Sequence, residues 1–132
     1  MDQPVPSVEA TSTVTESKFS RFAANTEFML HPLVIYRLAD HDIVYANHSG
    51  KSFLKKVLVR RDSEHVGNIF AHAHDLRRIE SVLEASDTYL MRHVQLGNET
   101  RFYCQTIFAR LLQFDGAAFV TLIFNKIGTT PP

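Results

Sequence analysis

Residues 42–54 read DIVYANHSGKSFL, and the chain changes character inside them. Ile43, Val44 and Tyr45 are branched or aromatic, the residue types that favour strands. Residues 47–56 read as a short helix, and one asparagine, Asn47, stands at the change. Upstream, LVIYRLA (residues 33–39) is a second branched and apolar run, and Asp40-His41-Asp42 between the two is turn chemistry without glycine. The pair predicts a β-hairpin of residues 33–39 and 43–46 that feeds directly into a helix.

Further upstream, His31-Pro32 ends whatever precedes it, because proline biases its neighbour toward extended geometry. SKFSRFAANTEF (residues 17–28) places Phe19, Phe22, Ala23 and Thr26 at helical spacing, which predicts a short amphipathic helix with one aromatic face. Residues 1–16 are rich in Pro, Ser, Thr, Val and Glu with no aromatic residue, and read as a disordered leader. Downstream, residues 57–74 are irregular, with Gly67 as a turn and a single helical turn near Ile69 and Phe70. Residues 75–86 form a clear helix, with Asp75 as its cap and Leu76, Ile79, Val82 and Leu83 as its buried stripe. Three strands follow, near residues 88–96, 101–113 and 117–127, separated by turns at Gly97 to Thr100 and at Asp115-Gly116.

That order predicts an α+β fold, an antiparallel sheet of five strands with short helices gathered on one face. The chain divides into a leader (1–16), an N-terminal amphipathic helix (17–29), one domain (30–127) and a linker stub (128–132). AAFVTLIF (residues 117–124) is apolar at both parities, so both faces of the last strand are expected to be covered. The helices cover the inner face. The aromatic N-terminal helix or a second copy of the chain covers the outer one.

Bulk properties narrow the function. The chain has 132 residues, with 14 basic and 14 acidic side chains, so no large field points toward nucleic acid or an anionic membrane. There is no long apolar run, and MDQPVPSVEA lacks the basic patch and apolar segment of a signal peptide. A single cysteine, Cys104, cannot form an internal disulfide, which agrees with the cytoplasm.

Order and residues together resemble a PAS domain over about residues 30–127. DIVYAN (42–47) followed by SGKSFL (49–54) looks like that family's second strand, its asparagine and its first core helix. HVGNIF (65–70) resembles the valine-glycine step, HAHDL (72–76) the approach to the long helix, and FVTLIFNKI (119–127) the closing strand. The first hairpin carries Asp40-His41-Asp42 where the family has Asp-Gly, the exit reads Asn125-Lys126-Ile127 in place of Asp-Ile-Thr, and no long signalling helix follows. The resemblance implies that Asn47 is structural: its side-chain oxygen would cap the helix and tie it to the strand end.

It also implies a sensory module with a pocket between sheet and helices. On the fourth strand Phe102, Cys104, Thr106 and Phe108 share one parity and are expected to face inward, the first three as pocket lining. Tyr36, Tyr45, Phe53, Phe70, Leu83, Leu122 and Phe124 complete the expected lining, although plain core packing has the same composition. A homodimer is expected through Phe19, Phe22, Ala23, Phe119 and Ile123. The alternative is a ligand-free protein–protein interaction and dimerisation domain.

No cofactor is named by the residues. His72 and His74 are two apart and do not share a helix face as metal ligands at i and i+4 would. The long helix carries no histidine, which argues against haem. Cys104 lies on a strand, away from where light-sensing relatives carry their flavin-reactive cysteine, and reads as a buried inert thiol. Glu80 and Glu84, beside Arg77 and Arg78, read as a solvated face. There is no phosphate loop and no nucleophile elbow. A small enzyme would require His72, His74 and His93 to meet around one cavity. Were the chain part of a longer sensor, an output domain would follow Pro132.

Overall fold

A computed structural model describes residues 25–27, 29–58, 65–97 and 102–129. Five strands, β1 (Leu33–Arg37), β2 (Ile43–Ala46), β3 (Thr88–Leu96), β4 (Phe102–Phe114) and β5 (Ala117–Gly128), form one antiparallel sheet in the order β2-β1-β5-β4-β3. Between β2 and β3 lie α1 (His48–Val57), a 3₁₀ helix (Val66–Ile69) and α2 (Ala73–Ala85). This is the α+β arrangement expected from the sequence. Phe19, Phe22 and Ala23 of the expected N-terminal helix lie outside the described residues, as do the leader and residues 130–132. Asn25 and Thr26 are helical.

The first strand is shorter than expected. It stops at Arg37 because His41 turns the chain with φ 64 and donates its backbone N–H to Arg37 O (2.8 Å). The Arg37 guanidinium reaches Asp40 Oδ2 (2.7 Å) across the same turn. The long helix starts earlier than expected, at Ala73, with His72 at the cap position and no side-chain cap bond. Asp75, expected as the cap, is instead the third helical residue. Its own N–H already bonds His72 O (3.1 Å), so it cannot stand outside the helix. Its carboxylate still suits the positive end of the helix. Gly67, expected as a turn, lies inside the 3₁₀ helix and donates its N–H to His65 Nδ1 (2.9 Å).

The inner core joins the helices to one face of the sheet. Leu76, Ile79 and Leu83 recur at three and four residues along α2 and are buried there, with Phe53 and Val57 from α1 and Val66 and Ile69 from the 3₁₀ helix. Full burial of each such side chain contributes about 2 kcal/mol. The outer face is apolar too. On β1, Leu33 and Ile35 point away from Val34 and Tyr36, and all four are fully buried. Leu33, Ile35 and Phe119 form a second cluster with Met29, Tyr45, Phe114 and Ile123 packed against it.

Three strands change face together. Met91 and Val94, Cys104 and Ile107, and Phe124 and Ile127 all reach the inner core, although the members of each pair are three residues apart. In a regular strand such residues point to opposite sides. His93 and Lys126 are left-handed, each with φ 56, and pairing runs in one register on both sides of His93, Gln105 and Lys126. A left-handed residue locally breaks a strand's alternation, and β4, paired to both β3 and β5, follows them in register. The expected parity of β4 therefore holds at Cys104 and fails beyond it. Ile107 and Ala109 point in, Thr106 is half-buried outside the core clusters, and Phe108 is 37% exposed.

Among the described residues one buried hydroxyl carries no partner, Thr121 Oγ1 on β5. A desolvated, unpaired hydroxyl destabilises the fold that holds it, while a methyl of the same shape does not. Thr121→Val is expected to raise stability by about 1 kcal/mol in chemical denaturation. An unchanged or lower midpoint would mean that the hydroxyl finds a partner.

Candidate functional site

The junction of β2 with α1 is organised by one amide. Asn47 is fully buried. Its Oδ1 accepts from Gly50 N (2.7 Å), which caps α1, and from Leu33 N (3.0 Å), which holds the start of β1. Its Nδ2 donates to Thr26 O (2.9 Å) and His31 O (3.2 Å). All four hydrogen bonds open to a primary amide are made. Asn47 N donates to Leu33 O (3.0 Å), His48 N to Glu27 O (3.1 Å) and Ser49 Oγ to Met29 O (2.9 Å). The segment before β1 is thus stitched to the first turn of α1.

Beside this junction a cleft of about 480 Å³ opens between α1 and the ends of β4 and β5. Phe53, Phe102, Ile127 and Pro32 give it an apolar side, and His48, Ser49, Ser52 and Lys56 a polar one. Of the ten residues expected to line an internal pocket, Phe53 and Phe102 border this cleft. Leu83 borders a separate space of about 80 Å³ beside α2. Tyr36, Phe70, Cys104, Leu122 and Phe124 pack into the inner core, where the Phe53 and Phe124 rings lie 4.7 Å apart. Tyr45 points to the outer cluster, because pairing of β1 with β2 slips between Ile35 and Tyr36 and turns Tyr45 away from the inner face. Its hydroxyl donates to Glu27 Oε1 (3.0 Å). Of the expected interface residues, Phe119 is buried against Phe114 (ring centroids 5.8 Å apart) and Ile123 is half-buried, both in the outer cluster.

A second polar group was not legible in the sequence. Glu80, read there as part of a solvated face, accepts from Tyr36 Oη (2.9 Å) and lies 2.7 Å from His41 Nε2. The His41 ring stacks on Tyr36 (5.8 Å) and lies against His65 (5.3 Å). These contacts tie the β1–β2 turn and the 3₁₀ helix to α2. Burial, reinforced by the Glu80 carboxylate, holds the Tyr36 phenol well above its ordinary range. The only signal that could have found Glu80 is its place beside Ile79 and Leu83 at the margin of the buried stripe.

No family model matches the sequence, and no curated protein matches it. A solved PAS domain from a two-component sensor histidine kinase superposes on the chain with a TM-score of 0.62. The match covers 86% of this chain and 99% of that one, at 11% sequence identity.

This is a PAS fold.

Within the PAS fold the remaining candidates fall into place. His72 and His74 are exposed and stack on each other (5.5 Å), while His93 is exposed on β3. No group of three or more His, Cys, Asp or Glu side chains that could hold a metal ion occurs among the described residues. No described helix is long and apolar enough to cross a membrane.

Cys104 is fully buried, and its Sγ lies within hydrogen-bond reach of Thr106 O (2.9 Å) and Asn125 O (3.2 Å), either of which can accept its one hydrogen. Burial pushes its thiol from the ordinary 9.0 up to about 11. A folded-state pKa above the unfolded one means stability that is whole below about pH 9 and is lost as pH rises toward about 11. Tyr36 adds a loss of the same sign above about pH 10. Urea midpoints measured from pH 8 to 11 are expected to fall less steeply for Cys104→Ala than for the parent chain. Parallel curves would exclude the thiol as a source of the alkaline loss.

Proposed function

We propose that this PAS-fold chain is a sensory or regulatory module that binds a small molecule and passes the event on through a change in dimer arrangement. The cleft of about 480 Å³ carries this reading. Its size and its mixture of apolar wall and few polar groups suit a small-molecule site. It joins α1 to the last turn of β5, so an occupant would bias how those two elements sit. The histidine-kinase origin of the matching PAS domain supports a signalling role. On the outer face, Leu90 (48% exposed) pairs with Phe108, and Phe108 with Ile123, which supports a second copy of the chain as partner. A ligand shifts such a dimer only by binding one arrangement better than the other. The single cysteine favours a cytoplasmic setting, and no reaction is assigned to the chain.

The test is native mass spectrometry of protein purified from cells, with an absorption spectrum of the same sample. A dimer carrying added mass is the expected result, and a monomer without added mass overturns the reading. The filled interior, with Tyr36, Phe70 and Phe124 packed into one core, favours a second reading, a ligand-free interaction and dimerisation domain. A clean dimer whose cleft takes up no small molecule on titration would establish that alternative.

A further inference from the structure

We infer that the cleft selects an amphiphilic monoanion, a carboxylate carrying an apolar ring or tail. This rests on reading the cleft as the ligand site. The two sides of the cleft differ in chemistry. Phe53, Phe102 and Ile127, from three separate elements, present apolar surface. The opposite side is one stripe of α1. His48, Ser52 and Lys56 lie four residues apart and so share a face. Lys56 brings a full positive charge, and His48 stands in the first turn of α1, where the helix has its positive end. Ser49 Oγ spends its hydrogen on Met29 O (2.9 Å), which leaves the Ser52 hydroxyl to donate into the cleft. Among the described residues no carboxylate lines the cleft, and α1 (HSGKSFLKKV) contains no acidic residue.

Both halves of the ligand follow from this. An apolar group covers the phenyl rings and Ile127. Its anionic end lies along the α1 stripe and receives charge-assisted hydrogen bonds from Lys56 and Ser52. Among the described lining residues one lysine balances a single charge, so a carboxylate fits better than a dianionic phosphate. A neutral ligand with the same tail gains the apolar contact and forgoes the charged one.

The experiment is an amide NMR titration of the full chain with 4-phenylbutyrate and, separately, 4-phenylbutanol, which share the tail and differ in the charge. The acid is expected to shift the amides of Ser52, Phe53, Lys56 and Ile127 and to bind about tenfold more tightly than the alcohol. Lys56→Gln is expected to remove most of that difference while leaving the alcohol unchanged. Lys55→Gln, on the same exposed helix but outside the cleft lining, is expected to leave both affinities as they are. Equal affinity of acid and alcohol, with shifts still confined to the cleft, overturns the anion selectivity and keeps the cleft as a ligand site. Absence of cleft shifts with either probe overturns the inference, and, together with protein that leaves the cell without added mass, overturns the sensory reading as well.

Discussion

Asn47→Ala is expected to lower the unfolding free energy by about 4 kcal/mol, a loss that urea denaturation reads directly. The alanine removes the cap of α1, a loss that alone costs about 1 kcal/mol. It also strands three buried groups, the N–H of Gly50 and of Leu33 and the carbonyl of Thr26, and one part-buried group, the carbonyl of His31. Each buried polar group left without a partner costs about 1–3 kcal/mol, and the smaller side chain leaves room for partial rescue by water. A domain of this size is stable by only about 5–15 kcal/mol, so the loss is a large share of the total. Asn47→Asp separates the cap from the rest. The aspartate keeps both acceptor bonds but turns a carboxylate oxygen toward the carbonyls of Thr26 and His31. At neutral pH it is expected to be about as destabilising as alanine. Its deficit shrinks toward pH 4, where a protonated carboxyl can donate again. A loss under 1 kcal/mol for Asn47→Ala would mean that the N-terminal segment and β1 do not depend on this amide.

Gly50→Ala is expected to cost about 3 kcal/mol, although alanine is the better helix former by about 1 kcal/mol. Gly50 lies in the first turn of α1, directly over the start of β1. A Cβ there would stand 2.5 Å from Leu33 O, 3.0 Å from Asn47 Oδ1 and 3.2 Å from the Ala46 Cβ. The first of these is backbone, and Leu33 O is itself held by Asn47 N (3.0 Å), so it cannot step aside without opening the junction. The methyl therefore pushes α1 off β1 or breaks the Asn47 bonds. Thermal melting of Gly50→Ala beside Ser52→Ala, an exposed position on the same helix, separates the clash from helix propensity. A gain in stability at both positions would show that α1 does not approach β1 this closely.

These two residues also mark how far the sequence could be followed. Asn47 was found because a strand-forming run meets a helical one at an asparagine, and that contrast is local. Gly50 carried no such signal, since what forbids a side chain there is the carbonyl of Leu33, seventeen residues earlier. Phe108 was assigned inward by strict alternation, and Tyr45 was taken as pocket lining from its residue type. A slip in the β1–β2 pairing and the left-handed turns at His93 and Lys126 reversed them. Neither device has a glycine or proline to announce it. Glu80 was assigned to solvent from its acidic, basic-flanked stretch of helix, and only the docking of α2 brought it to Tyr36 and His41. The ten expected lining residues were chosen for strand parity or for apolar bulk, which a filled core and a pocket wall share.

The order of the elements, the hairpin that runs into α1 and the apolar stripe of α2 were written in spacing and residue type, because each depends on neighbours within a few positions. The strand order β2-β1-β5-β4-β3 follows from them only with the resemblance in hand. Which side chains meet was decided by the packed sheet. The hydrogen bonds of Asn47, the Tyr36–Glu80–His41 contact and the cleft between α1 and β5 each join residues brought together from separate elements. Such contacts exist only once α1, α2 and the five strands have closed on one another, so no local pattern could have carried them.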